Sequence, residues 1–254
     1  MTASPPRRPA LWSAAGLAAF LCLWQGTVLT GLLPPAWVPA PSAVPGALLR
    51  EIGDGIWFTA IGDSLGHYAS GVIAGSLLGI AVGIGIALLP RFAAAQAWVA
   101  RLLRPIPPLA WIPFALIWFG PSETAAAFII GVGVFWLNYF ATDAAVRAVD
   151  PGLVELAAAF GQGGFFRRLR RVILPAAMPG ILSGVRAGLG QGWMAVVAAE
   201  LFGIPGIGQR MTEAAGLLAT DVLVLYMLTI ALLYGLTDLV FEAVTNRVLA
   251  WTRP

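Results

Sequence analysis

The sequence predicts an all-α membrane protein with six transmembrane helices, and three observations support this prediction. Of the 254 residues, 59% are hydrophobic and only 11% are charged, whereas soluble domains carry about 25% charged residues. Apolar runs close to the roughly 20 residues that a helix needs to cross a bilayer recur along the chain. The arginines concentrate in alternate segments between these runs, as the positive-inside rule expects.

The predicted spans follow the apolar runs in order. They cover residues 10–33, 67–89, 109–120, 124–146, 179–201 and 222–244. A cleaved signal peptide is the alternative for the first run, but the run is longer than a typical signal-peptide core and no clear small-residue cleavage site ends it. No domain boundary is visible, so residues 1–254 are predicted to form a single transmembrane domain.

The segments between the spans set the predicted topology. The proline-rich stretch 34–66 is expected outside, with an interfacial helix over 44–56, and 202–221 is expected to be an external loop. Residues 90–108 are expected to form a cytoplasmic loop because they carry Arg91, Arg101 and Arg104, and the prolines at its end, from Arg104 to Pro108, cannot continue a helix. With both termini cytoplasmic, the arginines inside are Arg7, Arg8, Arg91, Arg101, Arg104, Arg147, Arg167, Arg168, Arg170, Arg171, Arg247 and Arg253, and those outside are Arg50 and Arg210.

The most polar segment lies between the fourth and fifth predicted spans, over residues 150–179. Asp150 can cap a helix that has Pro151 in its first turn, and Gly161 supplies a C-terminal stop. A helix of about three turns is too short to cross a bilayer, so the segment predicts a short surface helix. A second amphipathic piece follows, with Arg167, Arg168, Arg170 and Arg171 on its polar side.

This segment also resembles a known family. Glu155-Leu156-Ala157, then Gly161 and then Ile173-Leu174-Pro175 resemble the "EAA…G…I.LP" loop of permease subunits in ATP-binding-cassette (ABC) importers, although Leu156 stands where that family usually has alanine. The stretches PSAV from Pro41 and RPIPPLAWIPFALIWFG from Arg104 resemble the nitrate/sulfonate/taurine branch. An ordinary amphipathic loop between two spans is the alternative interpretation.

The resemblance implies a type I importer permease fold in which residues 150–175 form the coupling helix that meets an ATPase. The residues it assigns to ATPase coupling are Glu155, Leu156, Ala157, Phe160, Gly161, Leu174 and Pro175. It further implies a homodimer in the bacterial inner membrane, two cytoplasmic ATPase subunits and an external solute-binding protein. ATP and Mg would bind to the ATPases, so the chain itself is expected to hold no cofactor and to be no enzyme.

The implied cargo is a small solute of the nitrate, sulfonate or taurine kind, with a neutral or aromatic vitamin precursor as the alternative. The chain has no lysine and therefore no P-loop, and its single cysteine and single histidine predict no metal site. The arginines lie between apolar spans rather than along a soluble face, so nucleic acid is not an expected partner, whereas membrane lipid is. A membrane scaffold and an intramembrane enzyme are the rival classes.

Polar residues inside the predicted spans are the candidates for a solute path. A charge at bilayer depth costs about 2.5–3.5 kcal/mol on insertion scales, so Arg186 and Glu200 are expected either to pair structurally or to line a path. Glu200 lies near the outer end of its span, where it is expected to reach interfacial water. The full candidate set is Asn138, Arg186, Gln191, Trp193 and Glu200. Asp238 and Glu242 are expected to cap a helix end or to meet Arg247, and His67 is expected to be structural.

Two glycine stripes are predicted to pack against other helices. Glycine recurs every fourth residue in the second and fifth predicted spans, which places each set on one helix face. Such a stripe lets another helix approach closely. The glycines are Gly71, Gly75, Gly79 and Gly83 in the first stripe and Gly180, Gly184, Gly188 and Gly192 in the second.

Overall fold

The computed structural model describes residues 8–32, 34, 37–161 and 164–252, and all regular elements among them are helical. The first half contains α1 Arg8–Leu29, α2 Val44–Gly53, α3 Ile56–Leu88, α4 Pro90–Leu103, α5 Ile112–Phe119 and α6 Glu123–Arg147. The second half contains α7 Pro151–Ala159, α8 Phe165–Arg168, a π-helical turn Leu169–Ile173, α9 Leu174–Glu200, α10 Ile207–Gly216 and α11 Thr220–Val248. Short 3-10 turns lie at Pro41–Ala43, Pro108–Trp111 and Ala250–Thr252. The predictions for Arg7, Leu33, Arg253 and residues 162–163 lie outside the described residues.

The all-helical membrane fold is confirmed by the length and composition of the helices. Within the part of the chain that the structure describes, four helical runs are long and apolar enough to cross a bilayer, namely α3, the continuous run Phe165–Glu200, α6 and α11. A fifth span results if α4 and Pro108–Phe119, which meet at a bend of 93°, count as one. In α1, Ala15–Leu29 is apolar but shorter. The count of six spans stays a prediction.

The third predicted span, residues 109–120, takes a different form. Its only α-helical part is α5, whose eight residues rise about 12 Å and cannot cross a hydrocarbon core of about 30 Å. The preceding residues, expected to be a loop, form helix α4 instead. The break between them falls at 104–107, where Pro105 and Pro107 cannot continue a helix. The sequence marked the break correctly but not the helix on its N-terminal side.

Two further helices begin earlier than predicted. Helix α3 begins at Ile56 rather than at 67, because the stretch 56–66 contains no proline that would end it and Asp63 is exposed on its surface. Helix α9 begins at Leu174 rather than at 179. Pro175 occupies its first turn, where the missing N–H costs nothing, and Pro179 lies inside the helix.

The described residues fall into two compact units. The first comprises the residues up to Ala60 together with Arg210–Thr229, and the second comprises 61–209 together with the residues from Ile230 onward. In the first unit an ion-pair network joins α2 to α10. Arg210 donates to both carboxylate oxygens of Glu51 at 2.6 and 3.1 Å, and the Tyr226 hydroxyl donates to Glu51 at 2.7 Å. Arg50 pairs with Asp221 in the same unit.

The second unit is built around α6, which lies between the glycine stripes of α3 and α9. In α3, a Cβ atom added at Gly75 would lie 2.5 Å from the carbonyl oxygen of Gly131, and one at Gly79 would lie 2.6 Å from that of Phe135. In α9, a Cβ atom at Gly184 would lie 2.4 Å from Cβ of Ala141. At each of the eight glycines, an added Cβ atom would lie less than 3.0 Å from an atom of another residue. Both stripes therefore lie against helices of the same chain.

A single methyl group on the first stripe should weaken the fold. Gly79→Ala places Cβ against a backbone carbonyl that cannot rotate away, so we expect a loss of about 1–3 kcal/mol from overpacking. Gly85→Ala is the matched control on the same helix, because no atom lies within 4 Å of its added Cβ. Alanine there should leave the melting temperature unchanged or raise it. Thermal melting of both variants in detergent checks this, and equal melting would show that α3 is not held at this distance from α6.

The network around Glu51 should make stability depend on pH. The hydrogen bonds from Arg210 hold the pKa of the Glu51 carboxyl below its ordinary value, and Glu51 in turn raises the pKa of Arg210. A lowered folded-state pKa stabilises the fold fully above the unfolded value of about 4.3, and this contribution is lost as the pH falls through the folded value. Glu51→Gln should melt several degrees lower than wild type at pH 7, with a gap that shrinks on acidification below about pH 4. Melting curves between pH 7 and pH 3 measure this difference in melting temperature. A difference that stays constant over this range would show that the Glu51 carboxylate does not stabilise the fold through its charge.

Candidate functional site

Helix α7 has the cap and the stop that its sequence predicts. The Asp150 carboxylate accepts a hydrogen bond from the Gly152 N–H at 2.8 Å, and Pro151 occupies the first position of the helix. The helix ends at Ala159 with Phe160 as its C-cap, and Gly161 follows with a φ of +75°. This left-handed conformation favours glycine. The local sequence therefore fixes both the length of α7 and the direction in which the chain leaves it.

One face of α7 is anchored and the other is exposed. Val154 packs against a buried cluster that contains Ile173 and Ala177, and Leu174 packs against the same cluster. On the outer side Leu153, Leu156 and Phe160 are 46%, 55% and 77% exposed, and Glu155 is exposed beside them. Ala157 and Pro175 are half-buried. Leu156 and Phe160, two of the residues assigned to coupling, thus share an exposed apolar face with Leu153, whereas Glu155 is exposed at the edge of that face and Leu174 packs in the buried cluster beneath the helix.

The residues after α7 add aromatic and basic side chains to this end of the molecule. Phe166 is 81% exposed, and Arg167 and Arg170 are exposed as well. Arg167 reaches back to the carbonyl oxygen of Gly161 at 3.4 Å. The π-helical turn Leu169–Ile173 then joins α8 to α9, so that the whole run Phe165–Glu200 is continuous.

Glu200 is fully buried, so the expectation that it reaches interfacial water is wrong. Its carboxylate accepts hydrogen bonds from the Ser64 hydroxyl at 2.9 Å and from the Gly208 N–H at 2.8 Å, and Nδ1 of His67 lies 2.9 Å away. Ser64 also accepts a hydrogen bond from the Ile207 N–H. The glycine-rich loop closes over the carboxylate: added Cβ atoms at Gly206 and Gly208 would lie 2.3 and 2.7 Å from Glu200 atoms. Glu200 therefore joins α9, α3 and the loop that follows α9.

Asn138 and Trp193 also lie in the core. Asn138 is fully buried between the two glycine stripes, where its side-chain amide donates to Ser76 at 3.3 Å and to the carbonyl oxygen of Val134 at 3.0 Å. Trp193 stacks on Tyr68 with ring centroids 4.4 Å apart and donates to Thr237 at 3.2 Å. In this conformation both side chains hold helices together.

Gln191 is half-buried and faces a small cavity of about 220 Å³. Arg104, Pro108 and Trp136 also line this cavity. The guanidinium carbon of Arg104 lies 4.4 Å from the centroid of the Phe140 ring. Of the five path candidates, Gln191 and Arg186 are the ones that border open space.

Arg186 forms an ion-pair cluster with two carboxylates of α11. It donates to both oxygens of Asp238 at 2.8 and 2.7 Å, and Glu242 lies 3.5 Å away. The expectation that Asp238 and Glu242 cap the helix end or meet Arg247 is therefore wrong.

Sequence reasoning also missed Ser64 as a partner of Glu200. The pairing of Asp238 with Arg186 could have been predicted, since an arginine and an aspartate in two different spans are candidates for an ion pair. The sequence offered no indication that Ser64 contacts Glu200, because serine is common on helix faces.

The chain is similar to transport permeases. A family model described as "binding-protein-dependent transport system inner membrane component" matches residues 71–253. The chain is 33% identical to the taurine transport system permease protein TauC of Escherichia coli (strain K12), over 97% of its length and 92% of that protein. It is 32% identical to the bicarbonate transport system permease protein CmpB of Synechococcus elongatus, over 79% of its length and 75% of that protein.

A solved structure shares the fold. A chain of the MetNI methionine ABC transporter, in inward facing conformations, matches 80% of this chain and 96% of its own length with a TM-score of 0.65 and 20% identity.

Removal of the Glu200 carboxylate should strongly destabilise the second unit. Glu200→Ala leaves the Ser64 hydroxyl, the Gly208 N–H and His67 without their buried acceptor, and we expect a loss of about 3–5 kcal/mol. Glu200→Gln retains an acceptor oxygen and should lose less. Asp63→Asn, at an exposed carboxylate next to Ser64, is the control and should melt like wild type. Detergent melting curves of the three variants would refute the assignment if Glu200→Ala matched the control.

Proposed function

The chain belongs to the family of inner membrane components of binding-protein-dependent transport systems, and we propose that it is the permease subunit of an ATP-driven importer. The family match over residues 71–253 is the observation that supports this function most directly. As a membrane-spanning member of this family, the chain works with an ATPase and a solute-binding protein. ATP hydrolysis would take place on the ATPase, and this chain would form the path for the solute.

Helix α7 is our proposal for the surface on which the ATPase docks. It presents Leu153, Leu156 and Phe160 outward on one face, and Glu155 is exposed about 100° around the helix from Leu156. A buried apolar centre with a charge at its edge is the composition of a protein–protein contact. Because Val154 is packed inward against the start of α9, a force applied to the exposed face would reach a spanning helix directly.

The position of α7 also determines the orientation in the membrane and the subunit assembly that we propose. The α7 side would face the cytoplasm, with both termini on that side and with the basic residues of 165–171 beside the anionic headgroups of the bacterial inner membrane. Two copies of the chain would each bind one ATPase through α7.

The cargo is proposed to be a small acid. The relatives named above are a taurine permease and a bicarbonate permease, which supports an organic or inorganic acid of small size. A neutral or aromatic vitamin precursor, the alternative cargo, is not the cargo that either of these relatives is named for.

A change in the backbone after α7 should uncouple the ATPase without unfolding the spans. Gly161→Val forces a β-branched residue into a φ of +75°, at a cost of about 1–2 kcal/mol. We expect α7 to be misaimed, so that ATPase retention on the purified protein and solute uptake fall about tenfold. Glu155→Ala should have a smaller effect, because it removes one charge contact and leaves the helix intact.

Gly164→Val is the matched control for this experiment. Gly164 lies three residues further on with an ordinary φ of −72°, and no atom lies within 4 Å of an added Cβ at either glycine. At equal membrane levels this control should retain ATPase and uptake. Wild-type ATPase retention in Gly161→Val would overturn the docking proposal.

A further inference from the structure

A small cavity lies where the proline break after α4 meets α6 and α9. Its volume is about 220 Å³, below the roughly 300–1,000 Å³ of pockets that hold drug-sized ligands. Arg104 and Gln191 line it, and the rest of the lining consists of apolar and aromatic residues, two prolines and a glycine. Within the residues that the structure describes, no carboxylate is part of the lining. The lining therefore carries a net charge of +1, and the space fits only a small solute.

The absence of a side chain at Gly133 brings the walls of this cavity together. An added Cβ atom at this buried position of α6 would lie 2.9 Å from Cγ of Pro108 and 3.5 Å from Cγ of Gln191. Pro108 begins a 3-10 turn and Gln191 lies in α9, so three elements meet at one glycine. Proline rings fix φ on the side of the turn, and Pro107 has a φ of −67°. The walls are therefore largely formed before a ligand arrives, which lowers the entropic cost of binding.

Arg104 is held in place without using its hydrogen-bond donors. Its guanidinium lies over the Phe140 ring, and this cation–π contact requires no N–H group. Over the described part of the chain, the Arg104 side chain forms no ion pair and no hydrogen bond. By contrast, Arg147, Arg186 and Arg210 each pair with a carboxylate. The N–H donors of Arg104 are therefore available to a ligand.

Gln191 brings a second polar group without a partner to the same cavity. Its side-chain amide forms no hydrogen bond with another residue in the described ranges, although Gln191 is half-buried. A polar group that is removed from water costs free energy unless a partner satisfies it. Apolar walls also lower the effective dielectric constant, so a charge near Arg104 is attracted about four times more strongly at a value of about 20 than in water. Both effects favour a ligand that is negatively charged and accepts hydrogen bonds.

We propose that Arg104 and Gln191 bind the acid group of the transported solute inside this chain. The inference rests on the proposed transport function and assigns to the permease a step of selection in addition to any made by a binding protein. The guanidinium offers parallel N–H donors to two oxygens of an oxyanion, and the Gln191 amide donates to the same group. A cation of equal size would meet a net positive charge with no carboxylate in the lining.

Protection of a cysteine from a thiol reagent measures this binding. In a Cys22→Ser background, Leu137→Cys places a thiol in the lining. The protein is held in phosphatidylcholine nanodiscs without ATPase and is labelled with methyl methanethiosulfonate, which is neutral and therefore insensitive to charge variants. At about 50 mM ethanesulfonate we expect labelling to slow about threefold or more, the factor 1 + [L]/Kd for a Kd of about 25 mM or below. Ethyl methyl sulfone, a neutral molecule of similar size, should not slow it.

Variants of charge and of volume test the named residues separately. Arg104→Gln should abolish the protection, whereas Arg104→Lys should keep part of it because the charge stays. Arg101→Gln is the matched control: it removes the same charge one turn earlier, at an exposed position outside the lining, and should be protected like wild type. Gln191→Leu should reduce the protection by removing one donor. Gly133→Ala keeps every charge but places a methyl group against Pro108, and should reduce the protection as well.

A second thiol and a change of lipid complete the experiment. Ile106→Cys, also in the lining, should show the same protection, and Ala144→Cys, exposed on α6 outside the lining, should show none. Phosphatidylglycerol nanodiscs distinguish the solute from a lipid headgroup. If they protect Leu137→Cys without ethanesulfonate, the oxyanion that binds is a lipid phosphate and the proposal is wrong.

Three further results would contradict the proposal: no protection at either Leu137→Cys or Ile106→Cys, equal protection by the sulfone, or protection that survives Arg104→Gln. Because no ATPase is present, this experiment fails independently of the α7 docking experiment. Loss of ATPase retention in Gly161→Val together with unprotected thiols would keep the transport function and remove only the anion site.

Discussion

The close contact of α3 and α9 with α6 is the constraint on which the rest of the second unit depends. Within a bilayer there is no hydrophobic force between helices, so dispersion contacts at short range hold them together. Glycine every fourth residue removes the side chains that would keep the backbones apart, and at Gly75 even one added carbon would lie 2.5 Å from a carbonyl oxygen. Asn138, Trp193 and Glu200 lie between these helices, so the close packing of the helices determines the positions of their side chains.

The polar side chains described above are of two kinds: buried ones that hydrogen-bond between helices, and charged ones that are exposed. Glu200 is inside, where Ser64 and Gly208 donate to Oε2 of its carboxylate and His67 contacts Oε1. Such a network holds a loop to two helices without exposing charge to lipid. Arg186 and Glu242 are instead half-exposed on two long helices. The same residue types therefore serve two purposes, and burial in the folded chain, rather than position along the sequence, separates them.

The sequence allowed prediction of the features that depend on local chemistry. The cap at Asp150, the stop at Gly161 and the glycine periodicity follow from single residues and their spacing. Features that depend on distant partners were not predictable. The contact of Glu200 with Ser64 spans 136 residues, and that of Arg186 with Asp238 spans 52. Helix α4 was missed because its arginines indicated a cytoplasmic connection and the prolines after it indicated a break, although arginine is a good helix former.

The run Phe165–Glu200 joins the proposed docking surface to the proposed path by one continuous helix. Helix α7 contacts this run through Val154, which packs against Ile173 and Ala177. Arg186 lies only nine residues beyond Ala177, about 14 Å along the same axis. Where α9 meets α6, its contact face is glycine opposite small side chains such as Ala141 and Ala145. Farther along, Val134 of α6 and Trp193 of α9 pack in one buried cluster, so the two helices interlock there. A displacement at α7 would therefore reach Arg186 by the joint movement of α9 and α6.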